Sequence, residues 1–276
     1  MTDTELALFE KLKVIRTRED LKLKPNQYLR DTITGLDGVV RPLALRNYQV
    51  QMVMHLMAMP RFIVGDDMGL GKTSSSLSTL TILFSKNPNL KVLVLTKKSA
   101  VSQWAGEVHK FTTGITPIVI KGDKKNRQKV YEQYLQTRDQ QPTVLIGGYR
   151  SITQDFTTVQ DWQWDVIVYD EASVFKNPSA QVHQICRHLA KQSERVWGLT
   201  GTLIKNNLVE GFGIYKVVMP ELFTHTPAAF VQDYCMIQMQ NIGRGRKVPV
   251  IVGYRKADIE RFRFKIEPYY LGSPKH

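Results

Sequence analysis

Apolar residues in this chain fall into short continuous runs that are separated by longer segments of helical length. The short runs stand at 62–64, 91–96, 115–120, 144–147, 166–169 and 196–199. The longer segments between them include 73–84, 100–111 and 124–135. Strands that are buried on both faces appear as continuous apolar runs, and parallel strands are connected by helical crossovers. The pattern therefore predicts an α/β fold, with a mostly parallel sheet and helices on both faces.

The two ends of the chain depart from this alternation. Residues 1–24 have the pattern of an amphipathic helix, and a further helix is expected from Leu45 onward. The stretch 243–249 (GRGRKVP) indicates a flexible basic loop. We expect three parts, namely an N-terminal extension over 1–42, a main lobe over 43–240 and a basic C-terminal segment over 241–276.

The stretch after the run at 62–64 has the pattern of a phosphate-binding loop. It reads Asp66-Asp67-Met68-Gly69-Leu70-Gly71-Lys72-Thr73 and leads directly into a helical segment. Glycines allow backbone N–H groups to surround a polyphosphate, and the helix N-terminus adds positive potential. We expect Lys72 to contact the β- and γ-phosphates and the Thr73 hydroxyl to ligate Mg²⁺. Asp66 stands where the general pattern has glycine, and Gly-Lys-Thr also occurs in ordinary turns.

Two adjacent carboxylates follow the run at 166–169. Asp170 is suited to hold a divalent cation, and Glu171 to orient or deprotonate an attacking water. In isolation, such a pair is more often a solvated loop or a helix cap. The next strand ends at Thr200-Gly201-Thr202. The hydroxyl groups of this turn are able to contact the acidic pair and to transmit a change there to a neighbouring site. Because ligands bind at the carboxyl ends of parallel strands, we expect these groups at the same edge of the sheet as the loop.

The balance of charge indicates the kind of partner. The net charge is +13 and the pI is about 9.7, which favours a polyanionic partner, most often nucleic acid. Basic residues cluster at 121–129, 244–247 and 255–265, although a solvated surface is the commoner fate of such clusters. The sequence contains no base-reading motif, so we expect contacts to phosphate and sugar without sequence preference.

Two further features bear on the compartment. No apolar run approaches the ~18 residues that a membrane span needs, and the N-terminus lacks the pattern of a signal peptide. Cys186 and Cys235 lack metal-ligand spacing and are expected to be free thiols. We therefore expect an intracellular protein, in the cytoplasm or in the nucleoid or nucleus, with no membrane partner.

Together these stretches resemble the N-terminal RecA-like lobe of superfamily 2 helicases, and most closely the Snf2-type DNA translocases, over about residues 43–235. Residues 66–73 resemble the family sequence D-E-M-G-L-G-K-T, which also has Asp at position 66. Arg46-x-Tyr48-Gln49 resembles the adenine-contacting Q motif, and the amide of Gln49 matches the edge of adenine. The other similar segments are 93–104 (motif Ia), 148–149 (a DNA-contacting Thr-Tyr), 170–173 (Walker B), 175–179 (I-K-N-x-x-S) and 199–207 (L-T-G-T-P-I-x-N-N).

The resemblance implies ATP and Mg²⁺ as cofactors and double-stranded DNA as a partner that is bound without sequence preference. The implied nucleotide-binding residues are Arg46, Gln49, Asp67, Met68, Gly69, Leu70, Gly71, Lys72 and Thr73. The implied catalytic residues are Lys72, Asp170 and Glu171, with Thr73 and Asp170 at the metal. The implied coupling residues are Thr200, Gly201 and Thr202. The residues that we expect to face DNA are Lys97, Lys98, Gln103, Tyr149 and Lys176.

The sequence also departs from this family. Ser173 replaces the usual histidine, and Leu203 replaces the usual proline. The resemblance implies that this histidine couples the nucleotide and DNA sites, so its replacement concerns the coupling and not the metal site. The family's second RecA-like lobe supplies arginines to the ATP site, and an arginine finger contributes about 10³–10⁵ in rate. We see no such lobe in these 276 residues, which end in a segment that resembles the one leading into it. We therefore expect this chain alone to bind ATP·Mg²⁺ and to hydrolyse ATP weakly unless a partner supplies that lobe.

Two alternatives stay open at this point. One is a strand-separating or RNA helicase of the same superfamily, against which Met68-Gly69-Leu70 and Lys176-Asn177 argue. The other is a nucleotide- and DNA-binding module without turnover.

Overall fold

The structure is a computed structural model that describes residues 26–34, 38–65, 69–204, 207–241 and 246–272. The helix predicted at 1–24 lies outside the described residues, as do residues 66–68 of the predicted phosphate-binding loop. In the described ranges, no helix is both long enough and apolar enough to cross a membrane.

The elements follow one another along the chain much as the apolar pattern predicts. The strands are β1 (Thr32–Thr34), β2 (Val40–Pro42), β3 (Arg61–Val64), β4 (Val92–Thr96), β5 (Thr116–Val119), β6 (Thr143–Gly148), β7 (Trp164–Asp170), β8 (Ser193–Leu199), β9 (Met236–Asn241), β10 (Lys247–Gly253) and β11 (Tyr270–Leu271). The α-helices are α1 (Asn47–Ala58), α2 (Lys72–Lys86), α3 (Val101–Phe111), α4 (Lys124–Arg138), α5 (Tyr149–Gln154), α6 (Phe156–Val159), α7 (Gln181–Lys191), α8 (Leu208–Val218), α9 (Pro227–Tyr234) and α10 (Lys256–Ile266). Short 3₁₀ turns lie at Lys98–Ala100, Ala172–Lys176 and Glu267–Tyr269.

Seven strands of the described ranges form one parallel sheet in the order β11-β3-β8-β7-β4-β6-β5. From β3 through β4 to β5 the chain moves along the sheet in one direction, and after β5 it moves back. Because parallel crossovers are right-handed, this reversal places α2 and α3 on one face and α4 to α7 on the other. The predicted α/β fold is confirmed, and all six predicted strands are present.

The central strands β4 and β7 lie within the core. All five residues of β4 are buried, and so are the residues of β7 from Val166 to Tyr169. Helix α3 packs Trp104 and Val108 into the same core. A large apolar side chain contributes about 1.5–3 kcal/mol when it is fully buried. The residues that follow these two strands are therefore held on a rigid support.

The C-terminal part of the chain differs from the prediction. Residues 247–249 lie in β10, which pairs with β9 in an antiparallel hairpin, so the predicted flexible loop is wrong for these residues. Residues 242–245 lie outside the described ranges. Strand β11 joins the main sheet beside β3, and the Leu271 carbonyl accepts a hydrogen bond from the Gly65 N–H at 2.7 Å. A strand of two residues gives no periodic signal, which is why the pattern did not predict it.

Both cysteines are buried free thiols, as predicted. Burial raises the pKa of Cys186 well above its usual value, and burial raises the pKa of Cys235 to about 11. Both side chains are therefore neutral thiols near pH 7, and neither is suited to act as a nucleophile.

Candidate functional site

The carboxyl ends of β3, β8 and β7 meet at one edge of the sheet. Leu199 in β8 is paired with Val64 in β3 on one side and with Asp170 in β7 on the other. Neighbouring strands lie about 4.8 Å apart, so Val64 and Asp170 are roughly 10 Å apart at the same level of the sheet. The loop that follows Val64 therefore opens onto the same edge as the acidic pair.

The last turn of this loop is set by Gly71, which directly precedes α2. Gly71 has a φ of +76°, in the left-handed region that favours glycine. A Cβ at this position would also collide with the side-chain amide nitrogen of Gln49. That nitrogen donates to Ser74 Oγ at 3.1 Å, and Gln49 Oε1 accepts from the Arg46 N–H at 2.8 Å. Gln49 of the predicted Q motif thus lies directly against Gly71.

The start of α2 presents groups that are suited to bind an anion. Lys72 and Thr73 are its first two residues, and both are partly exposed. N–H groups in the first turn of a helix lack partners within the helix, and the helix dipole adds positive potential there. Gly69 and Leu70 lie just before this turn and are accessible to solvent, whereas Asp67 and Met68 lie outside the described residues.

Asp170 is fixed by two donors from neighbouring segments. Its Oδ2 accepts hydrogen bonds from Thr96 Oγ1 and from Trp104 Nε1, both at 2.8 Å. Both donors are neutral, and within the described residues no hydrogen bond reaches Oδ1. A carboxylate that is held through one oxygen while the other stays open is suited to ligate a divalent cation.

Glu171 adopts an unusual backbone conformation directly after β7. Its φ of +54° makes it the only non-glycine residue of the described ranges with a positive φ. This conformation costs a residue with a Cβ about 1–2 kcal/mol. The Glu171 Oε2 lies 3.0 Å from Lys97 Nζ, and the side chains of Glu171 and Lys97 are 24% and 59% exposed. The ion pair therefore lies at the solvent-facing side of the acidic site.

Thr200 lies at the end of β8, between the loop and the acidic pair. Its N–H donates to the Val64 carbonyl at 2.9 Å, and its Oγ1 accepts from the Thr202 N–H at 3.1 Å. Gly201 between them is partly exposed. This position is compatible with the predicted coupling role, which stays a prediction.

Tyr149 is not at the surface. Its side chain is 7% exposed, its hydroxyl donates to the Asp170 carbonyl at 2.6 Å, and its ring packs edge-on against Phe175. Burial raises the pKa of this hydroxyl well above its usual value. The expectation that Tyr149 faces DNA conflicts with this geometry, because the ring is used to pack the end of β7.

The other residues expected to face DNA differ in their exposure to solvent and in their ion pairs. Lys98 and Gln103 are exposed, one on the first 3₁₀ turn and the other in the first turn of α3. Lys176 is mostly buried, and its Nζ lies 2.8 Å from Glu210 Oε2. Contact of Lys176 with another anion therefore requires this ion pair to open.

Thr96 directly follows an apolar run and is therefore a candidate residue at the edge of the sheet, but the sequence did not predict that Thr96 and Trp104 donate to Asp170. Both lie in or next to the segment that resembles motif Ia, but a tryptophan at helical spacing is ordinarily a core residue. The pairing of β4 with β7 brings Thr96 to Asp170, and the packing of α3 on the sheet brings Trp104 to it.

The strand order and the helices around the sheet define a RecA-like α/β lobe. The sequence profile of the SNF2-related domain matches residues 47–243, and the chain therefore belongs to this family. Among solved structures, the Sulfolobus solfataricus SWI2/SNF2 ATPase core in complex with dsDNA superposes with a TM-score of 0.69 at 23% identity. That similarity covers 91% of this chain and 46% of the Sulfolobus chain, and it supports the fold.

Two relatives are similar in sequence. The mouse chromodomain-helicase-DNA-binding protein 1-like is 31% identical over 213 residues, which cover 75% of this chain and 23% of the mouse protein. The yeast (Saccharomyces cerevisiae) ISWI chromatin-remodeling complex ATPase ISW1 is 30% identical over 201 residues, which cover 71% of this chain and 17% of the yeast protein. The chain thus spans about a fifth of the length of these relatives.

Proposed function

We propose that this chain is the ATP-binding lobe of an Snf2-type, DNA-dependent ATPase and translocase. The observation that carries the proposal is the pairing of Leu199 with both Val64 and Asp170. It supports a shared site, because β3, which precedes the predicted phosphate-binding loop, ends at the same edge of the sheet as the acidic pair. The yeast relative is named as an ATPase, which supports ATP as the nucleotide.

The donor set at Asp170 fits Mg²⁺. One carboxylate oxygen is held by Thr96 and Trp104, and the other has no hydrogen bond within the described residues. Thr73, whose hydroxyl is the other expected ligand, is the second residue of α2. Hard cations such as Mg²⁺ prefer oxygen ligands of this kind. When bound, ATP·Mg²⁺ supplies the phosphoryl group that is transferred and the charge that stabilises its transfer.

For the other residues the proposal keeps the roles that the sequence predicts. Lys72 binds the phosphates together with the backbone N–H groups of residues 67–71. Gln49, beside Arg46, binds the adenine edge. Glu171 orients or deprotonates the attacking water, and residues 200–202 relay the state of the acidic pair.

We assign the DNA contact to the surface formed by Lys97, Lys98 and Gln103, which we term the β4–α3 surface. These side chains are exposed beside the acidic site, and two of them are basic. Contacts of lysine to backbone phosphates carry no sequence information, so binding is expected to be nonspecific and sensitive to salt. The Sulfolobus relative was solved with dsDNA, which favours duplex DNA as the partner.

The nucleotide site is tested by replacing Lys72 with alanine. We expect Lys72→Ala to weaken ATP binding at least about tenfold, because a hydrogen bond to a charged group is worth about 1.5–3 kcal/mol. The matched control is Lys86→Ala, which removes an exposed lysine from the other end of the same helix. Titration calorimetry gives both affinities, and equal binding by wild type and Lys72→Ala would rule out the assignment.

A nucleotide- and DNA-binding module without turnover is the second candidate. The Lys97–Glu171 ion pair favours it, because it engages the residue that is expected to activate water. Steady-state hydrolysis with duplex DNA separates the two, and ATP binding without turnover would favour the module. Stronger stimulation by single strands or RNA than by duplex DNA would instead favour a strand-separating helicase. A second RecA-like lobe supplied by a partner is expected to raise weak turnover.

A further inference from the structure

Two consecutive residues at the end of β4 contact two consecutive residues at the end of β7, its neighbour in the sheet. Thr96 donates to Asp170, and the next residue, Lys97, forms the ion pair with Glu171. Because Lys97 also lies on the exposed β4–α3 surface, this one side chain belongs both to the acidic site and to the proposed DNA contact.

The Lys97–Glu171 pair is weak enough to be displaced. Both side chains are in contact with solvent, and exposed ion pairs contribute little because water screens them and two long side chains lose freedom. Duplex DNA, in contrast, presents a dense array of phosphates that binds cations strongly. A phosphate and the Glu171 carboxylate on one ammonium group would also repel each other.

We infer that Lys97 is shared between two anionic partners, Glu171 when nucleic acid is absent and a backbone phosphate when duplex DNA is bound. This inference rests on the proposed function of the site. Binding of DNA breaks the ion pair and frees the carboxylate that lies next to Asp170. Lys97 is therefore a positioning residue that acts through Glu171, and it links the DNA contact to the acidic site without a histidine at position 173.

The competition has a consequence that does not require nucleotide. Coupling between two binding events is reciprocal. If DNA displaces Glu171 from Lys97, then Glu171 must weaken DNA binding, and it must do so through Lys97. The affinity of the nucleotide-free chain for DNA thus reports on the ion pair even if ATP hydrolysis is slow.

The experiment is a double-mutant cycle on binding of a fluorescently labelled duplex at low salt. The proteins are wild type, Lys97→Gln, Glu171→Gln and the double variant, with Lys86→Gln as a control that removes one exposed positive charge elsewhere. We expect Glu171→Gln to bind about two- to fivefold more tightly than wild type, which corresponds to an exposed ion pair. Lys97→Gln should bind less tightly, and the double variant should match Lys97→Gln.

Three results would overturn the inference. The first two are a duplex affinity equal to that of wild type in Glu171→Gln, and one equal to that of wild type in Lys97→Gln. The third is that Glu171→Gln raises the duplex affinity by the same factor in the Lys97→Gln background as in wild type, because that gain would reflect only a general loss of negative charge. Failure of the proposed function looks different. Wild type that binds no duplex would remove the DNA contact and this inference with it, whereas unchanged ATP affinity in Lys72→Ala would remove the nucleotide site alone.

Discussion

Asp155 and Asp170 are both held by hydrogen bonds, but their charges are balanced in different ways. Asp155 accepts from Arg127 Nε at 2.6 Å and Nη2 at 2.7 Å through its two oxygens, and from Tyr131 Oη at 2.9 Å. The Arg127 and Asp155 side chains are only 9% and 4% exposed. Asp170 is held through one oxygen by two neutral donors, and within the described residues no cation pairs with it.

The difference separates a structural carboxylate from a candidate metal ligand. A buried carboxylate with a bidentate guanidinium partner has its charge neutralised and its oxygens occupied. Within the described ranges, Asp170 has no cationic partner and one oxygen without a hydrogen bond, and it lies at the edge of the sheet where ligands bind in such folds. We therefore propose that a cation from outside the chain completes the site at Asp170, whereas Asp155 already has its cationic partner.

The largest expected effect distinguishes the two sites by stability. Asp155→Asn should lower the free energy of unfolding by about 3–5 kcal/mol, because it leaves the buried Arg127 without its charged partner. The matched variant Asp170→Asn should lower it by no more than about 2 kcal/mol, because an amide oxygen still accepts from Thr96 and Trp104 and the lost charge has no cationic partner in the described structure. Urea denaturation measures both values, and losses of equal size would contradict the distinction.

A smaller effect tests how Asp170 is held. Trp104→Phe removes the indole donor to Oδ2, and a hydrogen bond to a charged group contributes about 1.5–3 kcal/mol. Trp164→Phe is the matched control, because Trp164 is equally buried and its Nε1 has no hydrogen-bond partner within the described residues. We expect Trp104→Phe to be the more destabilising by roughly that amount in the same denaturation experiment. If the two variants lose the same stability, the indole does not fix Asp170.

The features that the sequence predicted are those encoded locally. The apolar run at 91–96 is long enough to identify a buried strand, and the loop at 66–73 and the pair Asp170-Glu171 are recognisable from neighbouring residues alone. The relation between loop and acidic pair followed from the rule that ligands bind at the carboxyl ends of parallel strands.

The features that were missed depend on pairing between distant segments. Lys97 and Glu171 are far apart in sequence, and only the register of β4 against β7 brings them together. Arg127 lies in a basic cluster that suggested a surface, yet its guanidinium is buried against Asp155. Tyr149 likewise follows a strand end, and nothing in its local sequence indicates that its ring packs inward.

The central claim is that the loop after β3 and Asp170 bind the same ATP·Mg²⁺. The most direct test is calorimetric titration of ATP into wild type and Asp170→Asn, with and without Mg²⁺. We predict that Mg²⁺ strengthens ATP binding to wild type at least about tenfold, the scale of one charge-assisted contact, and strengthens it much less in Asp170→Asn. Without Mg²⁺ the variant should bind ATP at least as well as wild type. An equal effect of Mg²⁺ on both proteins would contradict the account.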